Sequence, residues 1–276
     1  MGLTIFNKKQ ITEPLYHEDE DNLNLSEGAH ILVNCKNAVI TGTACVLEST
    51  NSSFLEVSGH SKIQIFHSGE IKLLCGKAKI GMIKTGVVEK ITDYAEITTI
   101  NACDFEYVTG HSEIGTFNNG SIKFLDKYAS IATFNSGKIM FMRDNAEIGT
   151  MIDGQIDGML NKTEVHTIMH GRIGYMLNKA KIGTLNHGEI QEICDTAQID
   201  TMNEGKVSHM SGNSMVFQQI GGKIEEKSGQ ALLLYAQKPK KNRDEQVEFD
   251  LSDIKIKKIS KSSTGKKIFD SIDEKL

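Results

Sequence analysis

The chain has 276 residues, of which 24% are charged, with a formal net charge of −5, 11 methionines and no tryptophan. So mild a charge argues against nucleic acid as the main partner, and no apolar run approaches the roughly 18 residues that a membrane-spanning helix needs. Five cysteines, Cys35, Cys45, Cys75, Cys103 and Cys194, include no CxxC pair and read as reduced thiols.

Residues 1–28 are polar and carry 6 acidic against 2 basic side chains, with Glu18-Asp19-Glu20-Asp21 at their centre. They lack the apolar core of a signal peptide and predict an acidic N-terminal arm that orders, if at all, on a partner. Residues 29–60 hold Ile31, Val33, Val39 and Ile40, then Ala44, Val46, Phe54 and Val57, in a weak and shifted repeat. They predict an irregular cap.

From 61 to 227 the chain repeats with a fixed period of 17. One series of apolar anchors runs Ile63, Ile80, Ile97, Ile114, Ile131, Ile148, Val165, Ile182, Ile199, Val216. A second runs Ile71, Val88, Phe105, Ile122, Ile139, Ile156, Ile173, Ile190, Val207, Ile224. Two positions before the first anchor sits a small residue, as in Ala78, Ala95 and Ser112. Two before the second sits Gly, as in Gly120, Gly137 and Gly154, with Cys103 the exception. This Gly column serves either a close backbone approach or a positive-φ turn. Small–x–Ile alternates at period 2, which is strand behaviour. A helix-pair repeat needs about 30 residues or more. The fold class is therefore all-β: a single-stranded parallel β-solenoid (β-helix) of about ten regular coils. At a strand spacing of about 4.8 Å, such a rod is about 50 Å long. Both prolines, Pro14 and Pro239, fall outside the repeat, as a hydrogen-bonded ladder requires.

Residues 228–236 contain Ala231-Leu232-Leu233-Leu234-Tyr235, an apolar closing segment expected to cover the last coil. Residues 237–276 predict a basic linker, Lys238 to Arg243, and a small docking tail with a strand-like Val247–Leu251 and a short helix over Ile268–Leu276. From 238 onward, 11 basic and 8 acidic residues leave a net of +3.

In a solenoid a residue and its counterpart one repeat later become neighbours, so sites are sought down columns. Thr99, Thr116, Thr133, Thr150, Thr167, Thr184 and Thr201 form one. They suit a β surface, and a flat Thr array is also a way to bind an ordered crystal surface such as ice. Asn101, Asn118, Asn135, Asn186 and Asn203 form a broken column that suits turn stabilisation. Asp153, His170, His187 and Glu204 occupy four successive rungs. They are the one candidate metal column, since two imidazoles about 5 Å apart can share Zn²⁺ with a flanking carboxylate. The competing reading is a polar, solvent-facing turn. Lys62 and Lys79, then Glu96 and Glu113, stack like charges on an exposed face. Cys103 reads as a small buried residue. No motif of hydrolases, metalloproteases, P-loop or dinucleotide-binding proteins appears. No catalytic residue or cofactor is therefore assigned.

The elements Ala78-Lys79-Ile80-Gly81, Ala146-Glu147-Ile148-Gly149 and Ala180-Lys181-Ile182-Gly183 resemble one turn of the hexapeptide-repeat acyltransferases, but the units here are 8 and 9 residues long rather than 6. In architecture, residues 44–227 resemble bactofilin-like polymerising solenoids and β-solenoid components of phage particles. That resemblance implies a non-enzymatic structural protein of the virion or cytoplasm. It would be oligomeric and held to protein partners through the arms 1–28 and 238–276, with no membrane or nucleic-acid partner. The alternatives are a polymerising scaffold and a carbohydrate-binding or carbohydrate-processing β-helix.

Overall fold

The computed structural model describes residues 13–236. They contain 25 strands and no helix. Every strand pairing is parallel, and the strands fall on two ladders one coil apart. A representative coil places one strand at Lys62–Phe66 and the next at Gly69–Leu74. The following coil runs through both positions in a single strand, Lys79–Ile91. The first ladder has 14 rungs, from Leu15–Glu18 to Leu232–Ala236, and the second has 13. The result is a parallel β-solenoid of about 13 turns.

The repeat columns are the core. All ten residues of the first anchor series are buried, as are Phe66, Ile83, Ile100, Phe117 and Phe134 three positions later. The second series is buried from Ile71 to Val207, with Ile224 partly covered at the end. Each buried Ile or Val contributes roughly 1.5–3 kcal/mol relative to exposure. The register is constant, one repeat per coil, from Cys45↔Lys62 through Gln219↔Ala236. A one-residue slip would turn each anchor outward, so the register is strongly specified.

Two corners close each coil. At one, the small residue's N–H donates to a carbonyl three residues earlier, as in Ala129 N to Asp126 O at 3.1 Å. The small side chain is fully buried there because the turn brings the backbone against the core. The second residue of this turn has φ between 56° and 78° on twelve successive coils: Gly42, Gly59, Gly76, Asp93, Gly110, Lys127, Asp144, Asn161, Asn178, Asp195, Gly212 and Gly229. Gly, Asn and Asp are the residues that tolerate this left-handed conformation. Lys127 is the exception. The other corner holds the Gly column, where both readings hold for most of those glycines, Gly188 being the exception. Gly120 has φ +123°, and a Cβ there would lie 2.0 Å from Cys103 O on the coil below.

Three boundaries differ from the sequence reading. The solenoid starts inside the predicted arm 1–28: Leu15–Glu18 pairs with Ala29–Val33, and Asn24–Leu25 with Ala38–Ile40. These coils are shorter, with Leu15 opposite His30 and Asp21 opposite Lys36. The span 29–60 joins the same ladders rather than closing them, with register shifts at His30/Ile31 and Ala38/Val39 lengthening the step to that of the main repeat. At the far end, Leu232–Ala236 is itself a further rung, paired with Met215–Gln219, and its outward side chains stay exposed. Residues 1–12 and 237–276, including the tail strand and helix expected there, lie outside the described residues.

This packing sets the response to substitution. Lys127→Gly should raise stability by about 1 kcal/mol, because it removes the cost of a side chain at φ 58°; a lowered melting temperature would contradict the turn geometry. In urea unfolding, Ile148→Asp should be the most destabilising of three variants, by about 4 kcal/mol, since it buries a charge with no partner. Gly120→Ala should cost about 2 kcal/mol or more through strain and the backbone clash. Thr150→Val, on a half-buried outward position, should shift the midpoint by less than about 1 kcal/mol.

Candidate functional site

The Asp153, His170, His187 and Glu204 column is assembled at the corner just ahead of the Gly column. Backbone bonds hold it: Asp153 N donates to Asn135 O, His170 N to Ile152 O and His187 N to Met169 O, each coil to the one below. A shallow cleft of about 540 Å³ borders it, lined by Asp153, Gln155, Arg172, His187 and Glu189. Its donors do not converge. The rings of His170 and His187 stack with centroids 5.1 Å apart and planes 29° from parallel. Stacked imidazoles present their faces to each other and their in-plane lone pairs outward. His187 Nε2 instead meets Glu204 Oε2 at 2.9 Å, and Asp153 Oδ1 accepts from the N–H of Gly154 at 2.7 Å. Among the described residues no three His, Cys, Asp or Glu side chains come together as a metal-binding group.

The Thr column is continuous, with Thr99 to Thr201 aligned one above the next through seven rungs. Its side chains are half-buried, not raised on a flat exposed plane. The position just before each Thr alternates: Thr98, Gly115, Ala132, Gly149, His166, Gly183, Asp200. A Cβ on Gly115, Gly149 or Gly183 would lie 2.5–2.6 Å from the carbonyl oxygen one coil down. The face therefore has a two-coil texture of notches and projections. The Asn column forms an amide ladder. Asn118 Nδ2 donates to Asn101 Oδ1 at 3.0 Å, Asn135 to Asn118 at 2.6 Å and Asn203 to Asn186 at 2.7 Å. Each amide satisfies its neighbour, so this column is structural.

Charges pair across coils. Lys79 binds Glu96 at 2.5 Å, Lys123 binds Glu106 at 2.9 Å and Lys181 binds Asp200 at 2.9 Å. The run of like charges from Lys62 to Glu113 thus breaks at the Lys79–Glu96 pair. Arg143 makes a two-pronged contact to the nearly buried Asp126, Nε to Oδ1 at 2.7 Å and Nη2 to Oδ2 at 2.5 Å. The same guanidinium lies 4.2 Å from the Phe124 ring centre. Such a contact has geometric fixity that single exposed pairs lack.

Two aromatic columns were not read from the sequence. Tyr107, Phe124 and Phe141 stack at 5.2 and 5.9 Å along the second ladder. Tyr94, His111 and Tyr128 stack at 5.2 and 4.8 Å, with planes within 6° of parallel, on the exposed turn. The step that finds the apolar anchors also finds both.

Cys103 takes the place of a glycine and lies inside the core. Burial pushes its thiol up from 9.0 to about 12, with the nearby Asp104 carboxylate adding to the shift. A thiol so protonated is a poor nucleophile, which fits a packing role.

No protein-family model, curated protein or solved structure matches this chain.

The Cys103 thiol gives a pH prediction. Its folded pKa lies above the unfolded value, so its contribution is complete below pH 9.0 and is lost as pH rises toward 12. Wild type should lose more stability over that window than Cys103→Ala, measured by urea midpoints; equal losses would place the thiol outside the core.

Proposed function

We propose that the chain is a non-enzymatic structural protein, a stiff β-solenoid built into a larger protein assembly through its two ends. The observation that carries this reading is the contrast in backbone pairing between flanks and ends, since exposed apolar side chains such as Val87, Tyr94 and Tyr128 occur on the flanks as well. The flanks are occupied by cross-coil ion pairs and amide ladders, which satisfy their own polar groups. Each end carries a strand whose outer edge is unpaired among the described residues, together with exposed apolar side chains. At the first rung Leu15 is 61% and Tyr16 57% exposed; at the last, Leu232 is 50% and Tyr235 68%. Unpaired edges of this composition are templates for association. They adjoin terminal segments that are both basic, with Lys8, Lys9 and no acidic residue in 1–12 and a net of +3 from 238 onward, which would steer docking onto an acidic partner surface at low salt. A phage virion component is the finer form of this proposal, and it expects the gene to lie beside capsid or tail genes.

End-to-end polymerisation is the second reading, favoured by the same edges: a parallel rung at one end can continue the ladder at the other end of a second copy. Light scattering on the whole chain separates the two. Docking at a fixed copy number gives a mass independent of concentration, whereas an open filament grows with it. In either case Leu232→Glu with Tyr235→Ser should abolish association while leaving the β circular dichroism unchanged. Association that survives these changes would move docking away from this end.

A further inference from the structure

Three columns of the solenoid make a furrow along one edge. Its floor is the small-residue column, here Ala44, Ser61, Ala78 and Ala95, all fully buried. Its walls are the columns on either side, which point outward. One wall carries Cys45, Lys62, Lys79 and Glu96 in register; the other carries Thr43, His60, Lys77 and Tyr94. Small side chains on the floor and long ones on the walls leave a groove of about 1010 Å³ over these four coils. It spans three strand spacings, about 14 Å.

The furrow continues beyond Tyr94, and its first wall changes sign. Lys62 and Lys79 give way on the first wall to Glu96, Glu113, Glu147 and Glu164. The cationic part of the first wall is therefore interrupted, and the lysines that follow, Lys162, Lys179 and Lys181, stand beside Glu147 and Glu164. In the first stretch Lys79 is committed to Glu96 at 2.5 Å. Lys62 and Lys77 are exposed and have no carboxylate within 4.0 Å among the described residues. Asp93, which adjoins Tyr94, is engaged by the N–H of Gly76 at 3.0 Å.

Tyr94 closes this stretch. It is 58% exposed, and one face of its ring is stacked on His111. His111 is in turn stacked on Tyr128, so three parallel rings hold Tyr94 in place. The ring is thus a pre-set platform, and Tyr94 is part of the lining of the cationic groove. The hydroxyl of Thr43 and the imidazole of His60 add hydrogen-bonding groups to the same lining.

We propose that this furrow binds an acidic oligosaccharide, one carrying carboxylates of the uronate type. A pyranose ring stacks on the free face of Tyr94, and its neighbours along the chain place carboxylates against Lys62 and Lys77. A groove lined by one sign of charge concentrates the opposite ion. An elongated ligand is favoured over a compact anion because the two free lysines lie on opposite walls of a channel. A sugar is favoured over a run of stacked nucleobases because the groove offers a single ring face, His111 being covered on both sides. The proposal is independent of the end-docking function: it concerns the flank.

Calorimetric titration of the full chain with an oligo-galacturonate and with the neutral oligo-galactose of equal length tests it. The acidic ligand should bind and weaken with added salt; the neutral one should bind far less. Lys62→Gln with Lys77→Gln should weaken binding roughly tenfold, the sum expected of two exposed charge contacts. Tyr94→Ala should weaken it by a similar factor without changing the salt slope. Lys162→Gln with Lys179→Gln, farther along the furrow where Glu147 and Glu164 line the facing wall, should leave binding unchanged. All these side chains are exposed, and an unchanged β circular dichroism spectrum and melting temperature show that each variant folds. Absence of binding, equal affinity for the neutral ligand, or equal loss in the control pair would overturn the proposal. Binding of an oligonucleotide of matched charge with the same variant dependence would overturn the saccharide assignment.

Discussion

The rest of this structure depends on the parallel backbone ladder closing on itself once per coil of about 17 residues. Each coil's amides are bonded to the coil below, so a residue's environment is set by the residue one coil away rather than by its sequence neighbours. Positions then act as columns. A column whose backbones run close must be Gly or small throughout, as the 2.0 Å approach to Cys103 O at Gly120 shows. A column that points inward must be apolar throughout, and the buried anchors obey this from Val46 to Val216. A column that points outward is free to vary, and there the chain places its charges, amides and rings.

That freedom shapes the electrostatics. Opposite charges one coil apart are brought close, to 2.5 Å in Lys79–Glu96, 3.2 Å in Arg172–Glu189 and 3.3 Å in Lys181–Glu164. Exposed pairs of this kind contribute little singly. They lie along flanks whose strand edges are all paired, coil to coil, among the described residues. The ends lack this protection. The unpaired strand edges among the described residues are therefore two small sites, whose separation is set by the number of coils between them.

Much of the fold was legible in the sequence because two signals reinforced each other, the alternation within a strand and the longer period between coils. Ile63 and Ile80 satisfy both. The first coils escaped notice because their step is shorter, with Leu15 opposite His30, and a search at the main period passes over them. The positive-φ column was hidden because Gly76, Asp93, Lys127 and Asn161 share a dihedral angle and not a chemical character. For the candidate site, the sequence placed Asp153, His170, His187 and Glu204 on one line, and they are on one line. It could not show that the rings of His170 and His187 lie face to face, since ring orientation follows from local torsions and neighbours rather than from column membership. The groove beside Tyr94 was missed for a related reason: it needs three adjacent columns to be read together, with the floor small and the walls long.

The unbroken register between Cys45 and Ala236 makes the coil an exchangeable part. Each coil meets only the one before and the one after, and the meeting surfaces are nearly the same all along the chain. Gain or loss of one whole repeat at any corner would leave every remaining contact in place and change the distance between the ends by about 4.8 Å. The length of such a molecule is thus inherited in discrete steps. It can be adjusted by duplication or deletion of a short stretch of gene, without any change to the first and last coils.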